Sequence, residues 1–106
     1  MSLQLIYCTA SNPQEASDLA KYLLDSNLIA CANIFPAHTA LYNWEGEVQE
    51  GQEVAMLMKA PADLFSAIEA AIKERHSYDT PCIVALDVEH VHAPFADWVQ
   101  GQCQRS

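Results

Sequence analysis

The chain has 106 residues, of which 51% are hydrophobic, 18% are charged and three are glycine. This composition excludes a disordered or collagen-like chain, and the length favours a single domain over residues 1–106. Fourteen acidic residues against five basic ones give a net charge of −9. Neither nucleic acid nor a membrane is therefore an expected partner, because clustered Lys and Arg bind phosphate backbones and anionic lipid surfaces.

The first third of the chain predicts a strand, a helix and a second strand. Residues 3–9 form an apolar, β-prone run that is typical of a buried strand. Asn12 can cap the helix that follows, and Glu15 can complete a capping box. Apolar residues at helical spacing carry this helix to Ser26, and residues 28–35 form the second apolar run.

The middle of the chain predicts a hairpin. Residues 38–44 read as an extended segment, which places Tyr42 and Trp44 on the same face. The elements that follow are a turn at 45–47, a return at 48–50, a bulge at Gly51 and a third strand at 53–59.

The last part predicts a second helix over residues 61–76, a loop at 77–81, a fourth strand at 82–88 and a short helix from residue 93. The order β-α-β-β-α-β with an extra C-terminal helix is the ferredoxin-like pattern, an α+β fold with an antiparallel sheet. Its two main helices cover one sheet face. We therefore expect self-association to cover the other face.

The start of the chain lacks the basic segment of a secretory signal, and no apolar run approaches the length of a membrane span. We therefore expect a cytoplasmic protein. Cysteines stand at positions 8, 31, 82 and 103, with no C-x-x-C pair. In the cytoplasm these are expected to be thiols rather than disulfides.

Several strings, spread in order from residue 5 to residue 98, resemble one family, the CutA divalent-cation tolerance proteins. They are Cys8-Thr9-Ala10, the run 28–36, Tyr42-Asn43-Trp44-Glu45-Gly46, Lys59, the H-x-Y-x-x-P loop at 76–81, and the pair Phe95 and Trp98. The resemblance implies a ferredoxin-like subunit in a tight homotrimer similar to the PII signalling proteins. It also implies a link to copper and other divalent metals, and no established catalytic reaction.

The resemblance also implies a metal site. Some family members bind copper through the first-strand Cys and two adjacent loop histidines, which correspond here to Cys8, to His76 and to the position of Arg75. Arg cannot ligate a metal, so copper is expected to bind weakly, with a third ligand from water, a neighbouring subunit or Glu53. The alternatives are that Cys8 is a packed thiol and that His76 interacts with the helix dipole.

A second group of side chains could line one cleft for a small ligand, because aromatic rings with a few polar groups are typical of such sites. They are Tyr42, Trp44, Glu53, Lys59, Tyr78 and Trp98. Alternatively, Tyr42 and Trp44 anchor a subunit interface, where aromatic residues are enriched. Both interpretations hold if the cleft lies at a subunit boundary.

Three functional classes follow. The leading one is a trimeric protein of divalent metal tolerance that binds copper or other divalent cations. The alternative is a PII-like interaction module that binds a small ligand in an intersubunit cleft, with incidental metal binding. An enzyme is not expected, because Cys8 with His76 is the only candidate dyad and no catalytic motif surrounds it.

His90 and His92 form a weaker alternative metal pair on one face of an extended segment.

Overall fold

The computed structural model describes residues 2–103. Within them the elements in chain order are β1 (Leu3–Ala10), α1 (Pro13–Asp25), β2 (Cys31–Ile34), β3 (His38–Trp44), β4 (Glu47–Pro61), a 3-10 turn (Ala62–Leu64), α2 (Phe65–Arg75), β5 (Ile83–Asp87) and α3 (Ala93–Gln102). The predicted α+β class, with an antiparallel sheet, is confirmed. None of the helices in this described part is long and apolar enough to cross a membrane.

The strands pair in the order β2-β4-β1-β5, and β3 pairs only with the first half of β4. β4 is one strand of 15 residues, where the sequence predicted a return, a bulge and a separate strand. The bulge predicted at Gly51 is wrong, because the register runs unbroken and places Gly51 opposite Ala40. A Cβ on Gly51 would make only an ordinary contact, 4.0 Å from the Tyr42 hydroxyl, so this position in the strand does not require glycine.

The second strand is shorter than predicted, because the turn that ends α1 extends to Leu28. Asn27 adopts a left-handed conformation with φ of 58°. Its N–H bonds to the Leu24 carbonyl and that of Leu28 bonds to the Leu23 carbonyl, each at 3.0 Å. This is a Schellman motif, which satisfies the last carbonyls of a helix and turns the chain sharply. β2 therefore begins only at Cys31.

The core lies between one sheet face and the helices. Alternate residues of β1 and β4, such as Ile6, Cys8 and Met56, are fully buried and pack with apolar residues of α1 and α2. The opposite face is not covered in the same way, since Val84 and Leu86 remain 47% and 58% exposed. The sheet therefore has one covered face and one open face.

β3 and the first half of β4 form a two-stranded projection over residues 38–53, here called the arm. Glu45 and Gly46 close it with φ values of 51° and 80°, which is the pattern of a type I′ turn. Tyr42 and Trp44 lie on one face of the arm, while Leu41 and Val48 lie on the other. All four are exposed, so the arm has apolar side chains on both faces.

Candidate functional site

A cleft of about 520 Å³ lies where the base of the arm meets the end of β1 and the loop after α2. The residues that line it are Thr9, Ala40, Leu41, Tyr42, Trp44, Glu53, Tyr78, Asp79, Thr80 and Cys82. They comprise aromatic rings, two acidic residues and one thiol. The strand pairing explains the grouping, since Tyr42, Trp44 and Glu53 share one face of the arm.

Glu53 and Tyr78, which both line the cleft, are joined by a hydrogen bond. The Tyr78 hydroxyl donates to Oε2 of Glu53 at 3.0 Å. Desolvation, followed by this hydrogen bond and the charge of Glu53, raises the pKa of Tyr78 to about 12. The hydroxyl therefore stays protonated at neutral pH and acts as a fixed donor, which orients the Glu53 carboxylate.

His76 is enclosed just behind the cleft, with its side chain 0% exposed. The backbone N–H of Tyr78 donates to Nδ1 at 3.0 Å. The tautomer is assigned from this contact, so Nε2 carries the proton and donates to the carbonyl oxygen of Thr9 at 2.7 Å. The single lone pair of the neutral ring is thus already occupied.

Cys8 lies on the helix-facing side of β1 and is 0% exposed. Its Sγ approaches the same Thr9 carbonyl oxygen at 3.7 Å, so the structure does bring Cys8 and His76 into one neighbourhood. Desolvation above all, with the nearby Cys82, Glu15 and Glu53, raises the pKa of Cys8 to about 12. The group is therefore a thiol, not the thiolate that binds metals.

As folded, these residues do not fit a copper centre. The Cys8 thiol is protonated, and the lone pair of His76 accepts a backbone hydrogen bond. The Arg75 guanidinium lies 3.4 Å above the ring of Tyr22, so position 75 faces α1 rather than Cys8. Within residues 2–103, no group of three or more His, Cys, Asp or Glu side chains is placed to hold a metal ion.

The alternative pair, His90 and His92, lies on an exposed segment between β5 and α3. His90 Nε2 is 3.8 Å from the Glu89 carboxylate, and both of these side chains are about nine-tenths exposed. An exposed pair of this kind contributes little to stability. Neither histidine belongs to a group able to hold a metal among the described residues.

Glu15 has a structural role that the sequence indicated only in part. Asn12 caps α1 as predicted, since its Oδ1 accepts from the Glu15 N–H at 2.8 Å. The Glu15 carboxylate, however, accepts from the backbone and hydroxyl of both Ser11 and Ser77. Although desolvation acts to raise it, these hydrogen bonds lower the pKa of Glu15 to about 2. Glu15 thereby ties the loop after α2 to the start of α1.

Residues 4–102 match the model of a single family, described as CutA1 divalent ion tolerance protein. The chain belongs to the CutA1 family. The divalent-cation tolerance protein CutA of Archaeoglobus fulgidus is 40% identical over 94 residues, which is 89% of this chain and 91% of that protein. The protein of the same name from Pyrococcus horikoshii is 38% identical over 95 residues, covering 90% and 92% of the two chains.

Solved structures agree with the sequence relatives. The periplasmic divalent cation tolerance protein CutA from Archaeoglobus fulgidus has a TM-score of 0.94 at 36% identity, covering 96% of this chain and 99% of that one. CutA1 from Oryza sativa has a TM-score of 0.96 at 28% identity, covering 100% and 97%. The family resemblance predicted from the short motifs is thus confirmed. The family description names tolerance to divalent ions, not a catalytic reaction.

In this CutA1 chain the six residues predicted to share a cleft fall into two groups. Tyr42, Trp44, Glu53 and Tyr78 line it, whereas Lys59 and Trp98 do not. Lys59 stands six residues beyond Glu53 on β4, a separation of roughly 20 Å along a strand. It is paired opposite Leu5 and bonds to Asn33.

Trp98 is also remote from the cleft. It lies in α3, against the ring of Phe95 at 5.8 Å. The next-but-one residue of the helix, Gln100, bonds to the carbonyl of Ser2 at 3.5 Å, which places α3 near the beginning of β1. The cleft lies at the end of β1, so one chain does not bring Trp98 into it.

The sequence did not single out Thr9, Asp79 or Cys82 as cleft residues. Thr9 lies near the end of β1 and Cys82 directly precedes β5, and both line the cleft because those strands pair. Asp79 belongs to the H-x-Y-x-x-P loop, so that motif was the available signal.

Proposed function

We propose that this chain acts in tolerance to divalent cations, as a cytoplasmic homotrimer of ferredoxin-like subunits that performs no catalysis. The observation that carries the function is the family match across residues 4–102, supported by relatives named for divalent-cation tolerance. The strand order, with β4 and β1 at the centre and β2 and β5 at the edges, supports the ferredoxin-like assignment.

The trimer is supported by the surface that a single chain leaves open. A two-stranded arm is marginal alone in water, and this one has exposed apolar residues on both faces. Val48, which does not line the cleft, lies on the arm face opposite Tyr42 and Trp44 and is 72% exposed. A second copy is a fitting cover for that arm face and for Val84 and Leu86 on the open sheet face.

The same assembly offers an account of Lys59 and Trp98. Both lie away from the cleft of their own chain, at the end of the sheet where β1 begins. An arm that reaches along a neighbouring subunit would cover such a surface. Lys59 and Trp98 would then be interface residues rather than members of the cleft.

We propose further that copper and other divalent cations contact this chain weakly. The net charge of −9 favours cations near the surface. Tight binding at Cys8 and His76 would require loss of a thiol proton and of the hydrogen bond that Tyr78 donates to Nδ1. Both requirements lower the affinity of that pair for a metal.

The function is tested by growth of a host that lacks its own CutA1-family gene, in graded copper, zinc and cobalt salts. Expression of this chain is expected to restore growth at metal concentrations that inhibit the empty-vector control. Equal growth with and without the chain, at matched expression, would overturn the proposal. Fractionation of the same cells tests the compartment, because the solved relative from Archaeoglobus fulgidus is named periplasmic.

A further inference from the structure

The cleft beside the arm combines aromatic rings with negative charge and contains no fixed positive charge. None of the described residues that line it is Lys or Arg. Two of them, Glu53 and Asp79, carry carboxylates. Tyr42, Trp44 and Tyr78 supply three π-systems around them. A cavity of about 520 Å³ falls within the range of small-molecule sites.

Glu53 is the most informative member of this lining. It is half-buried, and one of its oxygens, Oε2, accepts from the Tyr78 hydroxyl. Oε1 has no hydrogen-bond partner, and no ion pair joins Glu53 to a cation within residues 2–103. His38 stands directly opposite in the register but forms no ion pair with it. A partly desolvated carboxylate of this kind favours a positive partner.

We propose that this cleft binds a small organic ammonium ion, with its charge beside Glu53 and its alkyl groups against the rings of Tyr42, Trp44 and Tyr78. Aromatic faces attract organic cations through their quadrupole, and they cost such weakly hydrated ions little solvation. The site goes beyond the proposed tolerance to divalent metals and does not depend on it.

An inorganic divalent cation fits the same cleft poorly. Its possible ligands in the lining are Glu53, Asp79 and the thiol of Cys82, and the described residues hold no group of three or more ligands arranged for a metal. Divalent ions also need several oxygen, nitrogen or sulfur ligands, whereas aromatic rings provide none. The chemistry of the lining therefore favours an alkylated nitrogen.

The chain contains a built-in probe and control, because it has two tryptophans. Trp44 lines the cleft and Trp98 lies in α3. In NMR spectra of the full chain, tetramethylammonium chloride is expected to shift the indole N–H resonance of Trp44 saturably and to leave that of Trp98 in place. Substitution of each Trp by Phe assigns the two resonances.

Two control titrations separate charge from shape and from metal binding. Tert-butanol, a neutral molecule of similar size, is expected to shift the Trp44 resonance at least about threefold less at equal concentration. Sodium chloride is expected to produce no saturable shift. An equal response to tert-butanol would show an apolar cleft without charge selectivity. Displacement of tetramethylammonium by micromolar Zn²⁺ would show a metal site. Either result overturns the proposal.

Variants test the carboxylate directly. Glu53→Gln is expected to weaken tetramethylammonium binding about tenfold, because it removes the charge and keeps the shape. Glu50→Gln removes the same charge from the opposite face of the same strand and is expected to leave binding unchanged. An unshifted Trp98 resonance shows that each variant is folded. Equal affinity of the Glu53→Gln protein and the wild type would contradict the assignment.

Discussion

The Nε2 atom of His76 lies 2.7 Å from the carbonyl oxygen of Thr9, and this hydrogen bond joins the end of α2 to the end of β1. The same ring accepts the N–H of Tyr78 and packs 4.8 Å from the Tyr78 ring. Tyr78 in turn bonds to Glu53 on β4. His76 therefore connects the helix layer to the cleft, which is a structural role rather than that of an open metal ligand.

His76→Ala is expected to lower the free energy of unfolding by about 1–3 kcal/mol, because it leaves the Thr9 carbonyl and the Tyr78 N–H without their partners. Urea unfolding at neutral pH measures the change. His90→Ala, at an exposed position, is the matched control and should stay within about 0.5 kcal/mol of the wild type. Equal stability of the His76→Ala and His90→Ala proteins would contradict the structural role.

Glu15 should make stability depend on acid pH. Its pKa is lowered from 4.5 to about 2, so the folded state favours the ionised carboxylate. The stabilisation is present above pH 4.5 and is lost as the pH falls toward 2. Glu15→Gln is therefore expected to be less stable than the wild type at neutral pH, with the difference shrinking on acidification. Urea midpoints across this range test it, with the exposed Glu74→Gln as control.

Cys8 should resist alkylation in the folded protein. It is fully buried, and its pKa is raised to about 12, so little thiolate forms at pH 8. Cys82 is exposed and is expected to react with iodoacetamide first. Peptide mass spectrometry gives the order of labelling, and unfolding in guanidinium should bring the two rates together. Labelling of Cys8 at the rate of Cys82 in the folded protein would indicate an accessible thiolate.

The arm should control assembly. Light scattering at micromolar concentration is expected to give three times the 11.7 kDa of the chain. Val48→Glu places a charge on the exposed apolar face of the arm and is expected to yield smaller species. Gln14→Glu adds the same charge on exposed α1 and should leave the trimer intact. A monomeric wild type, or a trimeric Val48→Glu protein, would exclude this interface.

Copper titration can show whether the loop acts as a metal site. Arg75 occupies the position at which some family members have a copper-binding histidine, but its side chain stacks on Tyr22. Arg75→His is therefore expected to leave the affinity for Cu(II) within about threefold, as is Cys8→Ser, because Cys8 is a protonated thiol. Calorimetry without chelators or reductants measures both. Tenfold tighter binding by the Arg75→His protein would show that a loop site forms.

The sequence predicted the order and class of the elements well, because buried strands and capped helices have strong local signals. It did not predict β4 as one strand. Polar residues near Gly51 resemble a loop, and only pairing with β3 makes them regular. It also could not separate Lys59 and Trp98 from the cleft, since spacing along the chain does not show which end of a sheet a residue reaches.

The sequence also did not show on which face of the sheet Cys8 lies. Nearly every residue of β1 is apolar, so alternation does not reveal which set faces the helices. The packing of Ile6 and Met56 settles it and places Cys8 with them in the core. The ligand set implied by the motif therefore includes a residue of the core, because the motif does not show which side chains are buried.

The turn at Glu45 and Gly46 is the point of the arm farthest along the hairpin, yet it governs the cleft at the base. A type I′ turn of two residues pairs Trp44 with Glu47 and thereby fixes every later pair down to His38 with Glu53. One inserted residue at this tip would shift the register by one and send the indole of Trp44 to the side of Val48. An insertion at the tip would thus turn the aromatic face of the arm away from the cleft, although none of the residues that line the cleft is itself changed.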